Sequence, residues 1–303
     1  MVQGTEGLSI PGCPVCGSHR LQERIRESRL LALPPGYVIR SCQECGLGIR
    51  EPRPTAATLD GYDEGYYQDY GALEQETPGY LLDALSGIEA MTGRGRLLEV
   101  GCGLGGFLRD ARARGWCVAG LEGSDWAARF AGQKRGVPVA LALADAIPFQ
   151  DYSFDVVMCH HVLEHLPHPL AALREYRRVC RPSGRLVLHL PNELGHLFLR
   201  FALAGAPPAA SRGPWVSLRR WLAYQTAHPV RESTHLFFFS PRALSRALQA
   251  TGWRPIRLRT VRSFRDTASG YPGGGAVKRA LYRLEAGLNR GPEIEAIAVP
   301  AMP

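Results

Sequence analysis

The sequence predicts an α/β fold, in which a parallel sheet is covered by helices on both faces and follows a small cysteine-bearing unit. Three observations support this prediction. From Arg96 onward, apolar runs bounded by Gly, Pro or Asp alternate with helical patterns, as expected for parallel strands joined by crossover helices. A glycine-rich turn at 101–106 directly follows the first of these runs. Two Cys-x-x-Cys-Gly sequences lie ahead of it, within residues 1–54.

The individual elements are predicted from hydrophobic periodicity and from residues that start or stop helices. The predicted strands cover 96–101, 116–122, 137–141, 154–159, 185–190, 253–261 and 293–299. The predicted helices cover 105–114, 124–135, 169–180, 241–251 and 276–288. Ser124 or Asp125 is expected to cap the second of these helices, and residues 181–184 are expected to end the third.

Changes in composition divide the chain into three parts. Residues 1–54 form the cysteine-bearing unit, and residues 55–92 form a linker and helical lid that is rich in tyrosine at first. Residues 93–303 form the main domain. Within that domain, residues 194–232 interrupt the alternation of strands and helices with a Pro/Ala/Gly stretch and a Trp/Arg-rich helical pattern, which suggests an inserted cap or an amphipathic packing helix.

The charge distribution indicates which kinds of partner the protein could bind. The net charge is +8, and residues 194–303 hold 16 Arg and Lys against 5 Asp and Glu. This excess suggests an anionic partner, such as a phosphorylated or nucleotide-linked substrate or RNA, although a solvated arginine-rich surface explains it equally well. No apolar run approaches the roughly 20 residues of a membrane span, and no signal peptide is evident at the N-terminus, so a cytoplasmic protein is expected.

The glycine turn fits two kinds of nucleotide ligand. Gly101-x-Gly103-x-x-Gly106, followed by Glu122, satisfies the dinucleotide fingerprint. The same letters also form the E-x-G-x-G signature of methyltransferases that use S-adenosylmethionine. Glu99, two residues before the first glycine, would repel a pyrophosphate but suits a cationic ligand. Glu122 suits either reading, because each ligand offers ribose hydroxyls.

Sequences beyond the turn decide between these readings. The stretches LLEVGCGLGGFL, ADAIPFQDYSFDVV, HHVLEHLPHP and STHLFFFSPRALSRALQATGW resemble the class I S-adenosylmethionine-dependent methyltransferases along most of residues 95–300. Within this class, the chain resembles the branch that includes ubiquinone-biosynthesis O-methyltransferases and methyltransferases of polysaccharides and secondary metabolites. The resemblance implies a Rossmann-like seven-stranded sheet with helices on both faces, and it implies that the segment at 194–232 is the cap that binds the acceptor. The nicotinamide reading is therefore rejected.

The resemblance also implies a set of cofactor contacts. The methionine end of the cofactor is assigned to Glu99, Gly101, Cys102, Gly103 and Gly105; the ribose to Glu122 and Gly123; the adenine to Asp145 and the Ala146 backbone; and the vicinity of the reacting sulfur to His160. The chain departs from the commonest pattern at position 122, where glutamate replaces aspartate without changing the chemistry.

The first two pairs of cysteines predict a metal site. Cys13-Pro-Val-Cys16-Gly and Cys42-Gln-Glu-Cys45-Gly form two knuckles that can place four thiolates tetrahedrally around Zn²⁺, with glycine allowing each tight turn. All four ligands come from protein, so the site is expected to be structural rather than catalytic. The expected unit is an N-terminal zinc ribbon holding one ion.

Transfer of a methyl group to a hydroxyl requires a base, and histidine suits that role near neutral pH. His161, His165 and His235 are the candidates. Related ubiquinone O-methyltransferases show Glu-x-x-Glu-His where this chain has His161-x-x-Glu164-His165, and they bind a divalent metal. A catalytic divalent metal held by these three residues and His235 is thus one hypothesis. The alternative is that Glu164 and His165 form a hydrogen-bonding pair at a helix start.

The leading expectation for function is O-methylation of a sugar, glycan or other small-metabolite acceptor. RNA methylation is the alternative, favoured by the basic final third and the zinc ribbon, although no base-methylation motif or RNA-binding module is recognisable. A non-catalytic protein that retains the fold is a third reading. The intact cofactor motifs argue against it.

Overall fold

A computed structural model describes most of the chain. The described residues are 12–26, 36–52, 64–71, 77, 79–194, 235–261 and 287–301. They fall into two compact units. The first is bounded by Met1–Thr55, Leu190–Arg246 and Arg259–Ile294, and the second by Ala56–His189, Ala247–Leu258 and Glu295–Pro303.

A seven-stranded sheet is the centre of the fold. Its strands are β4 (Arg96–Val100), β5 (Cys117–Glu122), β6 (Val139–Leu141), β7 (Phe154–His160), β8 (Cys180–Pro191), β10 (Trp253–Val261) and β11 (Glu293–Pro300). They lie in the order β10-β11-β8-β7-β4-β5-β6. The pairs of β4 with β5 and β7, of β5 with β6, and of β7 with β8 are all parallel. The predicted seven-stranded, Rossmann-like sheet is thereby confirmed, and it is mostly parallel.

Helices accompany these strands in the described part of the chain. They are α1 (Glu64–Gly71), α2 (Gly79–Thr92), α3 (Gly106–Ala113), α4 (Asp125–Arg135), α5 (Pro169–Val179) and α6 (Pro241–Ala250). In α3, the apolar residues Phe107, Leu108 and Ala111 recur at helical spacing, and all three are buried. Ser124 caps α4, because its side chain accepts a hydrogen bond from the Ala127 N–H at 3.3 Å.

The first unit contains a second sheet. Strands β1 (Leu21–Arg26), β2 (Val38–Cys42) and β3 (Gly48–Glu51) form an antiparallel meander. A short strand from much later in the chain, β9 (Phe237–Phe238), pairs antiparallel with β3. The sequence analysis predicted none of these four strands, since it assigned no strand to residues 1–54 or to the apolar run at 236–239.

Most predicted boundaries agree with the structure to within two residues. The largest difference is at β8, which begins at Cys180 rather than at residue 185, with a register shift between Phe154 and Val156 of its neighbour β7. Only the last two positions of the helix predicted at 276–288 are among the described residues. Of the cap predicted at 194–232, only Leu194 is described. Among the described residues, no helix combines the length and apolarity required to cross a bilayer.

Candidate functional site

The glycine turn joins the carboxyl end of β4 to the start of α3. Gly101 has a φ of 71°, in the left-handed region that side chains with a Cβ rarely adopt. A Cβ at this position would overlap Val162, which follows the carboxyl end of the neighbouring strand β7. Glycine is therefore required at 101 both by backbone conformation and by the close approach of Val162.

The first amides of the turn are engaged within the protein. The Gly101 and Cys102 N–H groups both donate to the Leu121 carbonyl, at 2.8 and 3.1 Å. The Gly103 N–H donates to Glu122 Oε2 at 2.8 Å. A pyrophosphate cradle needs such amides to point at the ligand. These three instead hold the turn against β5, which agrees with rejection of the dinucleotide reading.

Two buried carboxylates flank the turn. Glu99 on β4 is 5% exposed, and Glu122 at the end of β5 is 8% exposed. Burial raises the pKa of Glu122, although hydrogen bonds from neighbouring groups oppose the shift. The thiol of Cys102, buried near both carboxylates, has a pKa well above its ordinary value because of burial and their negative charges. This concentration of negative charge favours a cationic ligand.

Aromatic side chains cover the same region from α1 and α4. The rings of Tyr67 and Trp126 are stacked with centroids 5.7 Å apart, and Trp126 stacks on Phe130 at 5.4 Å. Tyr67 and these two rings pack with Leu104 of the glycine turn. The sequence analysis noted the tyrosine-rich segment but gave Tyr67 no role, since its contact with the turn is tertiary.

The loop after β6 contains the predicted adenine contacts. Asp145 is half-buried in a turn in which the Ala146 N–H donates to the Leu143 carbonyl at 3.1 Å. The Arg178 guanidinium on α5 holds this loop by donating to the carbonyls of Ile147 and Phe149, at 2.8 and 2.7 Å. The assignment of Asp145 and Ala146 to adenine stays a prediction.

The carboxyl end of β7 brings two of the predicted catalytic residues together. His160 ends the strand, and burial lowers its pKa well below the ordinary value, so the imidazole is neutral. His161 follows with a φ of 51°, which is uncommon for a residue with a side chain. Glu164 is fully buried in the short 3₁₀ turn Leu163–His165. Its Oε1 lies 3.4 Å from His161 Nδ1 and 3.9 Å from His165 Nε2.

The third predicted catalytic residue belongs to the first unit. There the His235 Nδ1 lies 3.0 Å from Glu193 Oε2, and both side chains are largely buried. A carboxylate bonded to one ring nitrogen fixes the tautomer of the imidazole. Glu193 was not among the predicted residues, because it is distant in sequence from His235.

The four cysteines of the first unit form a cluster. Cys13 and Cys45 have sulfurs 3.5 Å apart, as do Cys16 and Cys42, and all four sulfurs lie within 4.8 Å of one another. Gly17 and Gly46 have positive φ and donate to the carbonyls of Cys13 and Cys42, both at 2.8 Å.

Backbone amides also point at these sulfurs. The N–H groups of Val15 and Cys16 donate to the Cys13 sulfur, and that of Leu47 donates to the Cys45 sulfur. Hydrogen bonding from the Cys45 thiol lowers the pKa of Cys13 to about 5. The same hydrogen bond raises the pKa of the Cys45 thiol, so it is the amides directed at the sulfurs that favour thiolates, the form that binds metal.

Comparison with known proteins identifies the family. A model described as a methyltransferase domain matches residues 73–258. The chain is 36% identical over 132 residues to the 27-O-demethylrifamycin SV methyltransferase of Amycolatopsis mediterranei, covering 41% of this chain and 48% of that protein. It is 35% identical over 135 residues to the ubiquinone biosynthesis O-methyltransferase of Pseudomonas paraeruginosa, covering 41% and 54%. The chain thus spans about half the length of these curated relatives.

A solved structure extends the likeness to the fold. It is described as a complex of the Trm112 methyltransferase activator of Haloferax volcanii with a methyltransferase, and it matches with a TM-score of 0.53 and 16% identity over 80% of this chain and 97% of that one. At this identity the likeness concerns the fold alone. The family model matches more than half of the chain, and the strand order of the sheet agrees with this match. The chain therefore belongs to the methyltransferase-domain family, in its class I, S-adenosylmethionine-dependent form.

Proposed function

We propose that this protein is an S-adenosylmethionine-dependent methyltransferase that transfers a methyl group to an oxygen of a sugar, glycan or other small metabolite. The observation that carries the proposal is the pair of buried carboxylates, Glu99 and Glu122, at the ends of adjacent parallel strands beside the glycine turn. Carboxylates removed from water interact strongly with a nearby cation. An ammonium and a sulfonium suit this environment, whereas a pyrophosphate does not.

The chain's residues fit this cofactor. Glu99 and the turn at Gly101–Gly105 would hold its methionine end, and Glu122, whose position is fixed by the Gly103 N–H, would hold its ribose. Asp145 would face the adenine. When bound, the cofactor supplies a methyl group activated by a sulfonium leaving group. The protein then contributes alignment of the acceptor and exclusion of water, which can accelerate such a displacement by several orders of magnitude.

His161 is the residue that we assign to proton removal. As the acceptor oxygen bonds to the methyl carbon and the carbon–sulfur bond breaks, the hydroxyl proton must leave. Glu164, buried next to His161 Nδ1, favours the tautomer with a proton on that nitrogen, which leaves Nε2 to accept the hydroxyl proton. His165, also beside Glu164, is the second candidate, and His235 with Glu193 is the third.

Oxygen is the proposed acceptor atom because two relatives that match the domain are named as O-methylating enzymes. These relatives are the 27-O-demethylrifamycin SV methyltransferase and the ubiquinone biosynthesis O-methyltransferase. The basic final third of the chain would suit an acceptor that carries a phosphate or another anionic group.

The cysteine cluster is assigned to one structural Zn²⁺. Four sulfurs within 4.8 Å of one another, with backbone amides directed at them, support a closed tetrahedral site. We retain residues 1–54 as the zinc ribbon, 55–92 as the linker and lid and 93–303 as the methyltransferase domain, with β9 as an additional strand of the ribbon sheet.

The test is a binding measurement followed by a screen of acceptors. Calorimetry with S-adenosylhomocysteine should show one site in the wild type, with binding largely lost in Glu122→Ala. Methyl-labelled cofactor should then label glycosides or other small metabolites that carry hydroxyls, but not RNA. Failure of the wild type to bind would favour the non-catalytic reading. Labelling of RNA that weakens steeply with salt would favour the alternative substrate.

The catalytic-metal hypothesis has its own experiment. Protein that still contains its tightly bound zinc is assayed with and without Mg²⁺ or Mn²⁺ after treatment with a mild chelator. Unchanged activity would remove the hypothesis. Loss of activity that is restored by added metal would support it.

A further inference from the structure

A pair of side chains on α5, Glu175 and Arg178, fastens the loop after β6. An arginine guanidinium carries five N–H donors in a rigid fork, and Arg178 uses all five. Its Nε and Nη2 donate to the two carboxylate oxygens of Glu175, at 2.8 and 2.7 Å. Nη2 also donates to the Ile147 carbonyl at 2.8 Å. Nη1 donates to the Phe149 carbonyl and to Asp151 Oδ1, at 2.7 and 2.8 Å.

The pair holds the loop most tightly at Ile147. Glu175 Oε2 accepts the Ile147 N–H at 3.0 Å, and Arg178 binds the carbonyl of the same residue. The Ile147 side chain is 4% exposed, so it is also anchored in the interior. Asp145, which we assign to the adenine, lies only two residues earlier. The backbone next to the adenine contact is thus fixed from a helix that lies about 30 residues further along the chain.

The charges of the pair reinforce this geometry. Hydrogen bonds from Arg178 lower the pKa of Glu175, and hydrogen bonds to Glu175 and Asp151 raise the pKa of Arg178, so both groups of the pair stay charged near neutral pH. Bidentate bonds between charged groups are short and directional. The side chains of Arg178 and Glu175 are 31% and 22% exposed, and ion pairs near the surface add little to global stability. We therefore expect the pair to act mainly on the local shape of the loop.

We propose that Glu175 and Arg178 set the preference of this protein for adenine, because they hold the loop in the position from which Asp145 meets the amino group of the base. Both act through the loop, so they are positioning residues rather than catalytic ones. Lysine could not replace Arg178, since a compact ammonium lacks the planar fork that reaches a carboxylate and two carbonyls together. The inference rests on the proposed function, since it takes Asp145 as the adenine contact.

The test compares two ligands by calorimetry: S-adenosylhomocysteine and S-inosylhomocysteine, in which a carbonyl replaces the amino group of the base. The wild type should bind the adenine ligand about tenfold more tightly or better, because a carboxylate accepts a hydrogen bond from the amino group but repels a carbonyl oxygen. In Arg178→Lys the two affinities should become nearly equal. Glu175→Gln, a milder change of the same shape, should lower the preference in part.

Two controls show whether the effect passes through the loop. Arg174→Lys changes an exposed arginine of the same helix and should keep the wild-type preference. In an Asp145→Ala background, Arg178→Lys should have no further effect on the preference. In hydrogen exchange, Arg178→Lys should lose protection at the Ile147 amide but keep it at the Ala128 amide, which is bonded within α4 to the Ser124 carbonyl.

The outcomes separate this inference from the proposed function. If Arg178→Lys keeps the wild-type preference, or weakens both ligands equally, the pair does not set the preference and the inference is overturned, while the proposed function stands. A wild type that binds both ligands equally would also overturn it, since Asp145 would then not read the amino group. Absence of S-adenosylhomocysteine binding to the wild type would instead overturn the proposed function.

Discussion

Substitution of Cys42 by serine tests the metal site of the ribbon most directly. Zinc–sulfur bonds of about 2.3 Å place the sulfurs of a tetrahedral site about 3.8 Å apart. Two sulfur pairs in this structure are 3.5 Å apart, and the whole set lies within 4.8 Å, so a zinc ion fits with shifts of a few tenths of an ångström. Serine replaces one thiolate with a neutral hydroxyl and leaves three ligands.

The expected loss is large compared with the stability of a small domain. Structural zinc contributes an apparent binding free energy of about 10–16 kcal/mol in zinc-finger peptides. Whole domains are stable by only about 5–15 kcal/mol. Loss of even half of the zinc contribution should therefore unfold the sheet formed by β1, β2 and β3.

The assay combines metal analysis with hydrogen exchange. Wild-type protein should contain one zinc per chain, and amides of residues 38–51 should be protected from exchange. Cys42→Ser should contain little zinc and lose that protection. Cys117→Ser is the control, because Cys117 is an exposed cysteine outside the cluster. A Cys42→Ser protein that keeps one zinc and wild-type protection would refute the reasoning, as would a wild type that binds no zinc.

Three further predictions concern the cofactor site. Gly101→Ala should lower the free energy of unfolding by about 2–4 kcal/mol in urea titration, because it combines a positive φ with overlap against Val162. Gly132→Ala should not, because a Cβ at this position in α4 would meet only the Val137 carbonyl oxygen, at an ordinary contact distance of 3.9 Å. Since burial raises the pKa of Glu122, acidification should protonate this carboxylate and weaken S-adenosylhomocysteine binding at a higher pH than for an ordinary glutamate. Over the same pH range the free protein should become more stable on acidification, because a carboxyl group whose pKa is raised in the folded state takes up a proton on folding. Glu122→Gln should abolish both trends. His161→Gln should lower kcat by about 100-fold or more with little change in cofactor affinity, and an unchanged kcat would transfer the role to His165.

The second unit was largely predictable from sequence because its signals are local. The apolar run of β4, the glycines that follow it and the periodicity of α3 each depend on a few neighbouring residues. The capping of α4 by Ser124 is likewise encoded within four positions. Adjacent parallel strands then bring the carboxylates of Glu99 and Glu122 to the same edge of the sheet.

Other features depend on contacts that sequence distance conceals. Tyr67 stacks on Trp126 across 59 positions, and Glu193 reaches His235 across 42. Arg178 holds the loop after β6 by donating hydrogen bonds to backbone carbonyls. Every residue has a backbone carbonyl, so no sequence pattern predicts this contact. The complete burial of Glu164 could not be predicted either, since the Leu-Glu-His sequence does not reveal which side of a short 3₁₀ turn faces the protein interior.

The pairing of β9 with β3 has a consequence for synthesis of the protein. Phe238 pairs with Gly48, so the last strand of the ribbon sheet leaves the ribosome 190 residues after its partner. Until then, Gly48 and Ile49 lack their strand partners Phe238 and Phe237. The edge of the sheet stays open while nearly two thirds of the chain is still being made. With the proposed zinc ion bound, the cysteine knuckles of a nascent chain would be ordered long before its own C-terminal half completes the sheet.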